Sequence, residues 1–398
     1  MQPLHDVTVV DFSQFLAGPY CTMQLADFGA DVIKVERPGG GDDSRHMGPM
    51  TDGVSHPFQV PNRNKRSLAI DLKSQPGREV VRDLLKTADI VVENFRPGVT
   101  TGLGIDYSAA HALNPEVIYC SISGFGQTGP ISQRPGFDII AQGMAGFLMM
   151  TGEPGGKPAK FGVAATDLAA GLNAAIAIAM AYIRRLREGG GQYIDVSLLD
   201  AGLALTTWEA GAYFGSGEDA AANGTRHRRV APYQAYPTAD GYVTVGANNQ
   251  KLWEILCRSV IDRPDLIERD EYADSAARHD HADDLEIELG AILRKCPTDE
   301  WVRLLDAAGV PGGPVLTYAQ AMQQEQAIAR GMTAAVEHPK IGEVRVLGPA
   351  AKMSETPPTV RAAAPMLGQH SREVLTQIGY DAARVGELFA TGVIAEPS

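Results

Sequence analysis

Asp167 is the residue best placed to do chemistry in this chain. It stands near the start of KFGVAATDLAAGLNAAIAIAMAYIRRLR, residues 160–187, where a polar turn gives way to a long apolar run. Gly162, Ala164 and Ala165 before it are small and leave room for another molecule's atoms to approach. The stretch from Leu168 to Ile183 is too rich in alanine and isoleucine to face water, and predicts a buried helix. An acid in the first turn of such a helix meets the positive end of the helix dipole. That contact is worth about 0.3–1 kcal/mol and favours the ionised form. A fixed, ionised carboxylate is able to act as a covalent nucleophile. The competing reading is that Thr166 or Asp167 simply caps the helix.

The other chemical groups narrow the field. A formal net charge of −13 over 398 residues argues against general nucleic-acid or membrane-surface binding, so an anionic ligand has to find local cations. RNKR at 63–66 and RHRR at 226–229 are such clusters, with Arg37, Lys73 and Arg96 placed singly. Each reads equally well as a solvated face. Cys21, Cys120, Cys257 and Cys296 lie far apart with no CxxC pair. That argues against a zinc site or a disulfide framework and suits a reducing cytoplasm. His279 and His281, in RHDHADD, read as a solvated helix face, and no metal site is predicted. The first residues run directly into a strand pattern rather than a signal peptide. The apolar run at 172–183 is shorter than the roughly 20 residues that span a bilayer. A soluble, cytoplasmic protein is expected.

Periodicity supplies the elements that must position these groups. VTVVDF (7–12) predicts a strand, AGPY opens a helix through Phe28, and DVIKVE (31–36) predicts the next strand, which makes a βαβ unit. The pattern returns with a helix near 77–87 before ADIVVENF (88–95), and a helix near 106–113 before VIYCSISGFG (117–126). Continuous apolar strands of this kind belong to a parallel sheet covered on both faces, so the fold class is α/β and Rossmann-like. Polar residues cluster just past the strand ends, at Glu36–Arg37, Glu93–Asn94 and Ser123–Gly126. Open α/β sheets bind ligands there. GGGQYIDVSLLDAGLAL (189–205) adds one more strand and helix. Residues 1–210 therefore read as the first part of a large α/β domain, and 211–230, which hold GSGEDAAANGTRHRRV (215–230), as a linker. Residues 231–320 read as a smaller α+β domain. It has a strand at 241–247, helices near 248–260 and 283–296, and the turn GVPGGPV. The C-terminal segment, 321–398, shows short strands around 332–348 and a terminal helix pattern.

Several common motifs are absent. Glu36 could mimic the ribose-binding acid of a dinucleotide fold, but the first turn reads FLAGPYCTMQLADFG, with no GxGxxG. There is no GxxxxGK[ST] and no GxSxG. Nine segments, in order and covering nearly the whole chain, instead resemble the class III CoA-transferase family, whose superfamily includes the α-methylacyl-CoA racemases. They are VTVVDFSQFLAGPYCTMQLADFGADVIKVERPGGGD, NRNKRSLAIDLK, ADIVVENFRPG, NPEVIYCSISGFGQTGP, GFDIIAQGMAG, the Asp167 segment, GQYIDVSLLDA, APYQAYPTADGY and GVPGGPV.

The resemblance implies transfer of CoA between an acyl-CoA and a free carboxylic acid, through an aspartyl anhydride and an aspartyl–CoA thioester, with Asp167 as nucleophile. Capping and catalysis then coexist at that residue. Arg37 resembles the arginine that meets the nucleotide phosphates. Ile70, Asp71, Leu72 and Lys73 resemble the stretch at the adenine end. Asn94, Phe95 and Arg96 match the turn that passes pantetheine and pyrophosphate, and Ala17 lies where the thioester end approaches. Arg and Lys would supply charge-assisted bonds to phosphate. The resemblance further implies CoA as substrate with no other cofactor and no metal, and an interlocked homodimer of ring-like chains. In that architecture 321–398 returns to the large domain. It implies neither nucleic acid nor membrane as partner.

Departures from the family pattern refine this expectation. Racemases of the superfamily carry a histidine where this chain has Phe137, between Gly136 and Asp138. A phenyl ring exchanges no proton, so transferase is favoured over racemase. A non-catalytic CoA-binding protein is the other alternative, and the retained Asp167 opposes it. Leu16 stands where formyl-CoA transferases have glutamine, and their tetraglycine loop is missing, which argues against an oxalate-type substrate. Gly102 replaces a common basic residue, leaving one phosphate contact to be supplied elsewhere, with RHRR a candidate. Arg134, Arg226, Arg228 and Arg229 point to a dicarboxylate such as succinate. GVPGGPV and the 215–224 loop are the candidate oxyanion donors.

Overall fold

The computed structural model describes residues 1–397. It contains two compact units, the larger made of residues 1–147, 160–218 and 325–398, the smaller of 148–159 and 219–324.

The large unit is built on a seven-stranded sheet: β1 (Thr8–Asp11), β2 (Asp31–Glu36), β3 (Lys65–Ile70), β4 (Ile90–Glu93), β5 (Ile118–Ser123), β6 (Gln192–Ser197) and β7 (Ile394–Ala395). The spatial order is β7-β3-β2-β1-β4-β5-β6. All neighbours are parallel except β7, which runs antiparallel to β3. Successive strand residues point to opposite faces, and here both faces are apolar. Val10, Ile33 and Val91 enter one core, while Val9, Val32 and Ile90 enter the other. The chain moves outward from β1 to β2 and β3, then returns to the other side of β1 for β4, β5 and β6. That reversal puts a topological switch point between β1 and β4, where sheets of this type bind ligands.

The helices that cover the sheet include α1 (Ala17–Asp27), α2 (Gln75–Thr87), α3 (Asp138–Met144), α4 (Ala165–Glu188), α5 (Leu198–Leu205), α6 (Thr207–Ser216), α7 (Ser371–Gln377) and α8 (Ala382–Ala390). Local chemistry sets their starts. Ser74 caps α2 by accepting the Gly77 amide at 3.1 Å, with Pro76 in the first turn. Ser197 does the same for α5 through the Asp200 amide at 3.0 Å. Val80, Val81, Leu84 and Leu85 of α2 then pack beside Val374, Leu375, Val385 and Leu388 of α7 and α8. The C-terminal segment thus completes one face of the large core.

Helix α4 departs from the sequence expectation. Ala169, Ala170, Ala174, Ile178 and Ala181 are buried against the sheet and α1. Gly171 lies so close to α1 that a Cβ there would sit 2.7 Å from the Ala17 carbonyl oxygen. The opposite face, however, exposes Leu172, Ile176, Met180, Ile183 and Leu186, at 40–68% of their surface. The inward face is made mostly of small residues, Ile178 apart, and most of the large apolar residues face out. The helix is also longer than the apolar run suggested, at 24 residues, with an 18-residue stretch of mean hydropathy 1.5, enough by length and composition alone to cross a membrane.

The small unit holds a three-stranded antiparallel sheet in which 242–246 lies between 233–237 and 312–314. Tyr236, Trp253, Leu289 and Trp301 form its core. Residues 148–159, placed by sequence in the large domain, belong here, tied in by the Gly224 amide on the Gly152 carbonyl at 2.8 Å. The segment expected as a linker from 211 is helical through Ser216 and joins the small unit from Asp219.

Candidate active site

A cleft of about 650 Å³ opens over the switch point of the large unit. Its walls come from the loops after β1, β4 and β5 and from the first turns of α1, α3, α4 and α5.

The wall after β1 is fixed from beneath by buried charge. Burial alone would push the Asp11 carboxyl up, but Lys65 and Lys34 beside it hold it at about 2. Ionised, Asp11 accepts the Ser13 amide at 2.9 Å, the Thr22 hydroxyl at 2.7 Å and Lys65 Nζ at 3.0 Å. Lys34 donates to the Ser13 carbonyl at 2.7 Å and pairs with Asp42 at 3.0 Å. Asp42 in turn accepts the Phe15 amide at 3.1 Å. That bond helps hold Phe15 at φ 63°, a left-handed conformation that is strained for a bulky residue. Phe15 meets Phe137 edge to face, with ring centroids 6.3 Å apart, and both rings line the cleft.

From β4, Asn94 clamps this wall. Its Oδ1 accepts the Gln14 amide at 2.8 Å and its Nδ2 donates to the Gln14 carbonyl at 2.7 Å. Burial pushes the neighbouring Glu93 carboxyl up to about 7, and its Oε2 accepts the Phe95 amide at 2.8 Å. Further along the wall Gly124 and Gly136 pass back to back. A Cβ on Gly124 would lie 2.8 Å from the Gly136 Cα, so only glycine permits the approach.

Asp167 lies in the first turn of α4, partly buried, and lines the cleft. The capping reading does not hold. Ala164 occupies the cap position without a side-chain bond, and the Thr166 amide and hydroxyl go to Asp138 at 3.0 and 2.8 Å. Among the described residues none hydrogen-bonds the Asp167 carboxylate. The expected preference for the ionised form is also overturned. Burial, reinforced by the Asp138 charge and only partly opposed by Lys160, pushes the Asp167 carboxyl from 3.8 up to about 7. An unpaired carboxyl with a raised pKa in a cleft is a marker of function rather than of stability.

Of the residues singled out from sequence, the cleft brings together Ala17, Asn94, Phe95, Arg96 and Asp167. Arg37, Ile70, Asp71, Leu72 and Lys73 lie outside it, at and after the ends of β2 and β3. Arg37 is half exposed and paired with Asp43, and Ile70 is a fully buried core side chain. Arg134 lines the cleft, its guanidinium 5.9 Å from the Phe125 ring. Within the small unit, Arg226 is held by Asp283 and Glu286. Two charged lining residues had no assigned role: Asp138 and Lys160. Asp138 was visible only as the residue after Phe137, because its role depends on α3 packing beside the start of α4.

The profile of CoA-transferase family III matches residues 4–371. The human succinyl-CoA:glutarate CoA-transferase is 38% identical over 99% of this chain and 90% of its own length. The succinyl-CoA–D-citramalate CoA-transferase of Chloroflexus aurantiacus is 36% identical over 95% of this chain and 94% of its own. A crystal structure of a CaiB/BaiF family protein from Brucella suis superimposes with a TM-score of 0.86 at 36% identity, covering 95% of this chain and 99% of that one. The cleft at the switch point, its free aspartate and these likenesses agree: the chain belongs to CoA-transferase family III and is a CoA-transferase.

Proposed function

We propose that this enzyme moves CoA from an acyl-CoA to a free carboxylic acid with Asp167 as covalent nucleophile. The observation that carries the reading is the Asp167 carboxylate, without a hydrogen-bond partner and facing a cleft at the sheet's switch point. An Asp167 oxygen attacks the donor thioester. A C–O bond forms, the C–S bond breaks, and its electron pair leaves on the CoA sulfur. The products of this step are an acyl–aspartyl anhydride and CoA thiolate. The thiolate then attacks the aspartyl carbonyl, forming enzyme–CoA thioester and expelling the donor acid as carboxylate. The acceptor carboxylate repeats both steps in reverse. One negative charge is conserved throughout and no proton need move. A covalent intermediate of this kind splits one difficult transfer into easier steps.

Ala17, Asn94, Phe95 and Arg96 would border the thioester and pantetheine. Arg37 and the stretch Ile70, Asp71, Leu72 and Lys73 would receive the nucleotide end on the adjoining strand ends. Asn94 acts on CoA by shaping the wall, since both of its polar atoms are bound to Gln14. Arg134, which has no carboxylate partner among the described residues, and the succinyl-CoA relatives support a dicarboxylate as one substrate. The exposed apolar face of α4, with Trp208 and Phe214 of α6 exposed by more than 80%, supports a homodimer. Sedimentation at micromolar concentration would find a dimer under this reading and a monomer against it.

Trapping tests the nucleophile. Hydroxylamine added with acyl-CoA should convert the Asp167 side chain to a hydroxamate, and borohydride should reduce the thioester at the same residue. Asp167→Asn should bind CoA yet lose turnover by several orders of magnitude. An adduct mapped to another residue, or near-normal transfer by the variant, removes Asp167 from this role.

A further inference from the structure

Asp138 stands at the first position of α3 with its oxygens already occupied. Oδ1 accepts the amide and hydroxyl of Thr166, and Oδ2 accepts Gln142 Nε2 at 2.7 Å. Gln142, one helical turn on, donates to the Val163 carbonyl at 3.2 Å and accepts the Phe161 amide at 3.1 Å. The two side chains strap residues 161–166 onto α3, and Lys160 enters the cleft wall immediately before that strap. Its Nζ is 3.7 Å from Asp138 Oδ2, and its side chain is 49% exposed. That distance is too long for a hydrogen bond. Asp138 is therefore satisfied without Lys160, and the ammonium keeps its donors for something else.

We propose that Lys160 binds the attacking carboxylate of the free acid substrate. The inference rests on Asp167 as nucleophile. Once Asp167 carries CoA as a thioester it is uncharged, and the incoming acid must bring its own negative charge past the fixed charge of Asp138. Lys160 lies on that approach. One acid oxygen rests on Nζ while the other attacks the aspartyl carbonyl. The new C–O bond forms, the C–S bond breaks, and the electron pair leaves on the CoA sulfur. Lys160 neither gains nor loses a proton. By reversibility the same contact receives the departing donor acid. Arg96 and Arg134 also line the cleft, but they follow β4 and precede α3. Lys160 alone among the three adjoins the strap that sets the start of α4 and with it Asp167.

The test is steady-state kinetics of Lys160→Gln and Lys160→Arg, varying acyl-CoA and acid separately, with trapping of Asp167 by hydroxylamine in the absence of acid. Lys160→Gln should raise the KM for the acid about ten- to a hundredfold, the range of a charged hydrogen bond, and leave that for acyl-CoA within about twofold. Lys160→Arg, which keeps the charge, should recover most of the loss. Hydroxylamine should still label Asp167, since the acyl–aspartyl anhydride forms before any acid binds or leaves. An unchanged acid KM, an equal rise for both substrates, or no rescue by arginine overturns the assignment of Lys160. Absence of an Asp167 adduct in the parent enzyme overturns the nucleophile instead, so the two failures are told apart.

Discussion

Asp138 holds Thr166 by both amide and hydroxyl, at 3.0 and 2.8 Å, and so pins the residue next to Asp167 to a different helix. The same carboxylate contributes a like charge that, after burial, helps raise the Asp167 carboxyl to about 7. Position and protonation of Asp167 thus share one control.

Asp138→Asn should separate these effects. The amide keeps an acceptor for Thr166 but removes the charge, so the ionised form of Asp167 becomes easier to reach. The acidic limb of the kcat/KM profile should move to lower pH. A limb that stays in place would show that Asp138 acts by position alone.

The raised carboxyl of Asp167 also predicts a stability profile. The folded state holds this proton more tightly than the unfolded state does. The resulting stability is fully present below about pH 3.8 and is lost as pH rises through about 7. Asp167→Asn removes that loss. The variant should resist urea better than the parent near pH 8, with the gap closing as pH falls through 7 toward 4. Parallel midpoints across this range would contradict the raised value.

Asn94→Ala would leave the amide and carbonyl of Gln14 without their present partners. In a partly buried wall each such loss costs about 1–3 kcal/mol. The strained Phe15 next to it would relax, since the bond from its own amide to Asp42 would alone remain to hold residues 14 and 15. The expected outcome is a lower urea midpoint together with at least about a tenfold fall in kcat/KM for acyl-CoA. A fall in stability with unchanged kinetics would make the Asn94 clamp structural only.

Truncated substrates test the CoA path. Arg37→Ala and Lys73→Ala should raise the KM for acyl-CoA but leave acyl-pantetheine, which lacks the nucleotide, unaffected. Because Arg37 is half exposed and shared with Asp43, its effect should sit near the low end of the tenfold-to-hundredfold range of charged contacts. Sensitivity to both substrates would move these residues away from the phosphates.

Much of this was legible in the chain itself. The βαβ period of 7–36 suffices for a parallel sheet, because runs such as VTVVDF can be satisfied only by burial on both faces. Asp167 stood out because it is an acid in the first turn of a long apolar helix, preceded by residues small enough to admit another molecule. The outward face of α4 was hidden, since Ile176 and Ile178 are the same residue type and only packing against the sheet and α1 decides which of them is covered. The loss of the capping role was hidden too, because it takes Asp138, from another helix, to claim Thr166. Ion pairs such as Lys34–Asp42 and Lys65–Asp11 join residues that no local pattern links.

The short strand β7 has a consequence for how the protein is born. It pairs with β3 through Ile394 opposite Ile70, and Ser371 accepts the Ala69 amide at 3.2 Å while donating to the Ala395 carbonyl at 3.0 Å. A ribosome delivers β3 first and its partner about 320 residues later, after the whole small unit. At about 5–20 residues per second, the edge of β3 waits roughly 16–65 s for its neighbour. An unpaired strand edge invites pairing with other chains. Until Ile394 and Ala395 arrive, the newborn chain therefore carries along β3 an open edge, the kind of feature at which chains pair wrongly.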